Sequence, residues 1–346
     1  MHVLPAVTPA SEPANPFGWV PAVLIVLAII GLLVGLNIYR ERVVRRDAQD
    51  VEIAALTRHH TPHWTGDYRT FRAEPRHWGL AVAAPFALCA GEDWDRLLHK
   101  DVVAVREGIA EAWGIQNRVT MLRQLYSLLS SGHRESFSEE IAVWSAMDAK
   151  QAAAFEKMLR RDARGDAAAA ETLWQFRRVR ANDRGIRSAD FLAWDFVRAA
   201  MLARAGATAG YLSEAEAEDF HLMIADDLRR HYSSWEELGE SFLLGRWYWN
   251  SQGGDGERST DLHDRNRQNV LLGVDGAWRA VPWNMPLGRS RMLFADALAE
   301  DPAAVFGFEI LGTAPRPWAE RLRAEVRQRT PLLDEDLDRD LDEDEV

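Results

Sequence analysis

Apolar positions in this chain recur mostly with a helical period. From Trp78 onward residues three or four apart fall on one face, which predicts helices over 78–90, 100–113, 117–131, 136–147, 148–163 and 166–180. Asn117 and Asp148 sit where N-cap side chains belong, and Gly132 falls where a helix ends in a left-handed residue. Three more amphipathic helices follow between 190 and 249: FLAWDFVRAAMLARAG, YLSEAEAEDFHLMIADDLRRHY and SSWEELGESFLLGRWYW. Ser213 with Glu216, and Ser233 with Glu236, read as capping boxes that open the second and third of these. Alternating strand patterns are scarce. The exception is NVLLGVDGAWRAVPW, 269–283, where Asp275-Gly276 between apolar flanks predicts one β-hairpin. The stretch before it, 251–268, has almost nothing to bury and reads as a mobile loop. A last helix is predicted over 317–328, stopped by Thr330-Pro331.

One apolar stretch is different in kind. Residues 17–36 are twenty uncharged positions, and at about 1.5 Å per residue a helix of that length matches a bilayer core of about 30 Å. Trp19 and Tyr39 suit the two interfaces, so a transmembrane helix is predicted over 17–39. A cleavable signal peptide would need its positive charge before the apolar run. Here Arg40, Arg42, Arg45 and Arg46 all follow it, which places the N-terminus outside and the rest in the cytoplasm of a bacterial inner membrane, as a single-pass protein. The expected partner is therefore the lipid bilayer, and Gly31 and Gly35 form a GxxxG that would suit a homodimer, although glycine is common in membrane helices without one. The fold class is mainly α: an N-terminal transmembrane helix, then a multi-helix globular domain with one β-hairpin.

The remaining organisation follows from composition. Residues 1–16 read as a short disordered extracytoplasmic lead, 40–77 as a basic juxtamembrane segment and linker, 78–330 as the helical domain, and 331–346 as a disordered acidic tail. The tail from Asp334 carries nine acidic residues and one Arg, so it holds -8 of the net -12, and the body is nearly balanced. A balanced body offers no basic field for nucleic acid. The tail places Asp334, Asp336, Asp338, Asp340 and Glu345 at EF-hand spacing, but Arg339 stands where that loop needs Gly. His59, His60 and His63 flank Pro62, which breaks the helical spacing that would aim two rings at one ion. No metal and no cofactor are called for. Cys89, the only cysteine, excludes an intramolecular disulfide and reads as a small buried hydrophobe, while 14 Trp point to large aromatic anchors.

Candidate chemistry lies in the three helices of 190–249. Projected at about 100° per residue, Asp195 and Arg198 fall inside the apolar sector of the first. His221 and His231 fall in the stripe of the second, and Arg246 in that of the third. Burying charges makes pairing almost obligatory, so one reading is an ion-pair network of Asp195, Arg198 and Arg246 that fixes three helices in register. The competing reading is a pocket in which Asp195, His133 or His221 acts as acid or base and Arg198, Arg246, Trp235 or Glu236 holds a ligand. The sequence has no Walker loop, GxSxG, HExxH, paired CxxC or GxGxxG to decide between them.

WGI at 113–115, SSGHRESF at 130–137, FLAWDFVRAAMLARAGATAGYLSEAEA at 191–217 and SSWEELGESFLLGRWYW at 233–249 resemble, in that order, the bacterial DUF1266 family, a domain of unknown function. The resemblance covers roughly 78–286. Its matching positions include His133, Arg134, Trp194, Asp195, Arg198, Trp235, Glu236, Gly245 and Arg246. It implies the extent of a domain and no activity. The reading is a membrane-anchored cytoplasmic interaction or regulatory module with a protein partner. The alternatives are an enzyme, hydrolytic in character, with a buried Asp/Arg/His site, and a toxin-neutralising partner protein, which no residue specifically supports.

Overall fold

Helix α7 (Leu192–Ala209) is buried along its whole length, every residue but Met201, and the other helices are arranged around it. That follows from its composition, since seven alanines and a glycine let neighbours approach closely from all sides. The computed structural model describes residues 61–249, 255–301 and Ala304. Against α7 pack α1 (Pro75–Ala90), α2 (Val102–Trp113), α3 (Arg118–Ser130), α4 (Gly132–Ala146), α8 (Glu214–His231) and α9 (Trp235–Trp249). A second layer, α5 (Ala149–Asp162) and α6 (Ala167–Ala181), leans on α4. Helix α10 (Asp255–Leu272) lies on α9 and α1, the one-turn α11 (Ala277–Ala280) on α10 and α1, and α12 (Leu293–Glu300) on α8 and α3.

The helix starts are chemically specified. Asp101, Asn117, Asp148, Asp166 and Ser213 each accept a hydrogen bond from a first-turn amide, which satisfies donors that helix geometry leaves open. Helix α9 starts one residue later than its sequence signal: Ser234 Oγ accepts from the Glu237 amide, and the Glu237 carboxylate accepts from Ser233. The box is therefore Ser234/Glu237, and Glu236 is left exposed on the first turn. At the start of α7, Asp190 accepts from Leu192 N–H and from the Tyr232 hydroxyl, which itself accepts from Ala193 N–H.

The core is aromatic where the helices converge. Trp78, Trp235, Trp278 and Trp283 stack or meet edge to face, with ring centroids 4.8–5.9 Å apart. Three of their indole N–H groups find carbonyls: Trp78 donates to Trp283, Trp235 to Val281 and Trp278 to Ala81. Gly245 lets α9 approach α7 where a Cβ would overlap Trp194. Residues 61–74, irregular and mostly exposed, are pinned to the helical body by Trp64 and Phe71, which pack on Trp94 at 4.8 and 5.5 Å.

Two expectations are corrected. There is no hairpin at 269–283: among the described residues there is no strand, only an isolated bridge between His63 and Asp93. The Asp275-Gly276 turn instead joins α10 to α11. Its flanks satisfy their backbone groups helically, and Trp278 is drawn into the tryptophan cluster rather than paired across a ladder. The stretch read as a mobile loop is helix from Asp255 onward. It lacks an apolar stripe because it docks through charge: Glu257 accepts from Arg178 and from the Trp247 indole, Asp261 from Arg184, and Asp264 from Arg246. Among the described residues no helix is long and apolar enough to cross a membrane, and the predicted span 17–39, Gly31 and Gly35, the helix over 317–328 and the acidic tail lie outside them.

Candidate functional site

The SSGHRESF stretch turns the chain from α3 into α4, and Asp195 closes that turn. Gly132 opens α4 at φ 57°, a left-handed conformation in which a Cβ would overlap the Asp195 carboxylate. With that space clear, Oδ1 of Asp195 accepts the His133 amide at 3.0 Å and Arg198 Nη2 at 2.5 Å. Oδ2 accepts the Arg134 amide at 3.1 Å and Arg134 Nη1 at 2.8 Å. A carboxylate is well placed there, because first-turn amides lack helical partners and carry the positive end of the helix dipole. Arg134 also reaches back to the carbonyls of Leu128 (2.6 Å) and Leu129 (2.5 Å), so one guanidinium joins the end of α3 to the start of α4.

Asp195 and Arg134 are both wholly buried, and Arg198 nearly so. The second positive charge is offset by the Trp194 carbonyl at 3.0 Å and by the rings of Trp194 (4.3 Å) and Trp113 (5.5 Å). His133 is the member that meets solvent, with its side chain 40% exposed. Its Nδ1 lies 2.8 Å from Arg198 Nη2, and since a guanidinium only donates, Nδ1 is the acceptor and the ring is neutral. Burial and then the Arg198 charge lower the His133 pKa, in keeping with that assignment.

Asp195, Arg198 and His133 thus come together, as the sequence expects, but Arg246 does not join them. Its Nε donates to Asp264 Oδ2 at 2.7 Å, and Arg267 Nη1 donates to Oδ1 at 2.6 Å, in a separate cluster between α9 and α10. Trp235 is a core anchor, and Glu236 faces solvent away from any buried charge. His231 is exposed at the end of α8, its Nδ1 against the Asp227 carbonyl, because the helix ends there and its face opens to water. Sequence reasoning missed buried Arg204, whose guanidinium donates to the carbonyls of Leu97 and Asp93, and whose pKa burial lowers to about 10. It also missed Asp264 and Arg267, which lie in a stretch without an apolar stripe and carry no local signal of the pairing.

His221 belongs to a third place. It lies on α8 against Gly79 of α1, and its Nε2 sits 3.0 Å from the Ala200 carbonyl, so Nε2 carries the proton and Nδ1 the lone pair. Burial lowers its pKa to about 4. His77 has the same tautomer: its Nδ1 accepts the Glu74 amide, leaving the proton on Nε2, and burial with the nearby Arg76 charge lowers its pKa. Both imidazoles line a cleft of about 1150 Å³, open to solvent, that is rimmed by Arg72, Arg76, Arg96, Asp95, Glu214 and Glu218. Among the described residues no group of His, Cys, Asp and Glu has the arrangement of a metal site; His59 and His60 lie outside them.

The family model described as "Protein of unknown function (DUF1266)" matches residues 108–283, just over half of the chain. The chain belongs to the DUF1266 family. Two proteins of Escherichia coli K12 are similar to it: uncharacterized protein YbeU, 23% identical over 200 residues, covering 51% of this chain and 75% of YbeU, and uncharacterized protein YbeR, 24% identical over 156 residues, covering 41% and 57%. The chain thus spans little more than half the length of YbeR. No solved structure matches. The DUF1266 match contains every member of the Asp195 cluster, whereas the histidine cleft draws His77 and most of its rim from before residue 108.

Proposed function

We propose that this DUF1266 protein is a helical interaction or regulatory module, held at the cytoplasmic face of a bacterial inner membrane by residues 17–39. One observation carries the choice of module over enzyme. The Asp195 carboxylate has no accessible surface and accepts four hydrogen bonds, so the charged motif residues serve to lock α3, α4 and α7 together. The open polar cleft beside α8 is the surface offered for recognition. A photo-crosslinking residue at exposed Arg96, on the cleft rim, should give a discrete protein adduct in native membranes, while one at exposed Val143 should give none. Equal labelling from both positions would refute the cleft as the recognition surface. Location is tested separately: a reporter active only in the cytoplasm, fused to the C-terminus, should give signal, and activity of a periplasm-only reporter there would reverse the topology.

A second reading, an enzyme, is favoured by His221 alone. Its buried, neutral imidazole is among the residues that line the open cleft, where it could act as a general base. Under that reading His221→Gln abolishes a turnover that Asp195→Asn affects only in proportion to lost folding.

A further inference from the structure

The open cleft that holds His77 and His221 carries charges of both signs that the protein leaves unpaired, and they are sorted by element. Arg72 and Arg96 come from the chain before α1 and the loop after it, while Glu214 and Glu218 come from the first turns of α8. None of the four forms an ion pair among the described residues: Arg72 reaches only the carbonyls of Thr70 and Phe71, and the side chains of Arg96, Glu214 and Glu218 have no polar partner there. The other two charges lining the cleft are engaged, Arg76 with Glu74 at 2.9 Å and Asp95 with the amide and hydroxyl of Thr65 at 2.9 Å. Glu214 and Glu218 stand one turn apart on a single face of α8, where like charges repel, and the capping of that helix falls to Ser213 and Glu216 instead. The helix dipole suits carboxylates at this end without pairing them.

His77 adds a donor on the arginine side. It is 5% exposed, its Nδ1 is occupied by the Glu74 amide, and no described residue accepts from Nε2–H, the polar atom it has left for the cleft. A donor on a side chain so buried calls for an acceptor. We infer that the cleft, taken as the recognition surface proposed above, holds an extended segment of a protein partner with side chains of both signs: a Lys or Arg against Glu214 and Glu218, and an Asp or Glu against Arg72, Arg96 and the His77 imidazole. A ligand of one sign would satisfy one set and be repelled by the other. At about 1150 Å³ the open cleft exceeds the roughly 300–1,000 Å³ of most small-molecule sites, and Leu80, Leu97 and Leu98 in its lining give a peptide chain apolar contact as well.

Random dodecapeptides displayed on phage and selected against the full-length protein in detergent test this. Wild type should enrich peptides that hold both a basic and an acidic residue. Selection on the Glu214→Gln/Glu218→Gln double variant should lose the basic preference and keep the acidic one, and Arg72→Gln/Arg96→Gln should do the reverse; each double variant should weaken the best wild-type peptide about tenfold. The four side chains are exposed or half-buried and unpaired, so both variants should melt as wild type does. Selected peptides of one sign only, charge preferences that both double variants leave unchanged, or no enrichment over the bare support would each overturn the inference. A discrete protein adduct from Arg96 without two-signed enrichment would overturn it too, while leaving the cleft as the recognition surface. Failure of the cleft itself shows separately, as equal labelling from Arg96 and Val143.

Discussion

Replacing Asp195 with Asn keeps the shape of the side chain and removes the charge that two guanidinium groups share. The amide has one acceptor oxygen, so whichever way it turns, two of the four donors now on the carboxylate meet an NH2 group instead: the His133 amide and Arg198, or the Arg134 amide and its Nη1. Each buried donor so stranded costs about 1–3 kcal/mol, and loss of the buried counter-charge points to the same total, about 3–5 kcal/mol. Urea unfolding of a fragment beginning at residue 57 would measure this as a lower midpoint at unchanged m-value. The partner matters as much as the size. A double-mutant cycle of Asp195→Asn with Arg134→Met should show coupling of about 1–3 kcal/mol, whereas Asp195→Asn with Arg246→Met should be additive within about 0.5 kcal/mol, because Arg246 uses Asp264 and shares no partner with Asp195. An Asn variant within about 0.5 kcal/mol of wild type would refute the view that Asp195 holds the helices together.

Gly132→Ala should destabilise by about 3 kcal/mol, from left-handed strain and displacement of the Asp195 carboxylate, and much of that loss should vanish in the Asp195→Asn background when the same unfolding curves are compared. The His221 pKa is depressed in the fold from 6.5 to about 4, so its contribution is fully present above about pH 6.5 and is lost as pH falls toward 4, by about 3 kcal/mol in total. His221→Gln should therefore flatten the acid limb of stability measured against pH, and His99, also lowered to about 4 by burial, should retain a slope of its own.

The helices were legible because their caps and stripes are local. Asn117, Asp148 and Ser213 announce starts that the structure keeps, and Asp195 and Arg198, one turn apart, are paired as their spacing implies. What the sequence hid depends on partners distant in the chain. Helix α10 has no apolar stripe, so nothing local shows that Glu257, Asp261 and Asp264 will find Arg178, Arg184 and Arg246. The projection that put Arg246 among apolar residues was right about its face but could not say which carboxylate waits there. Asp275-Gly276 carries a hairpin signal, yet a turn of that kind joins helices equally well when Trp278 has a tryptophan cluster to enter.

The position of α1 bears on where this domain can be cut. Trp78 is completely enclosed, and α1 lies against both α7 and α8, although all of it precedes residue 108, where the family match begins. A fragment trimmed to 108–283 would leave a trough along the central helix, exposing alanines and the rings of Trp235 and Trp278 that Trp78 and Ala81 now cover. Contiguous apolar surface of that kind drives aggregation. The boundary of the family match and the boundary of the cooperative folding unit are therefore different places on this chain, and the second lies before Trp64.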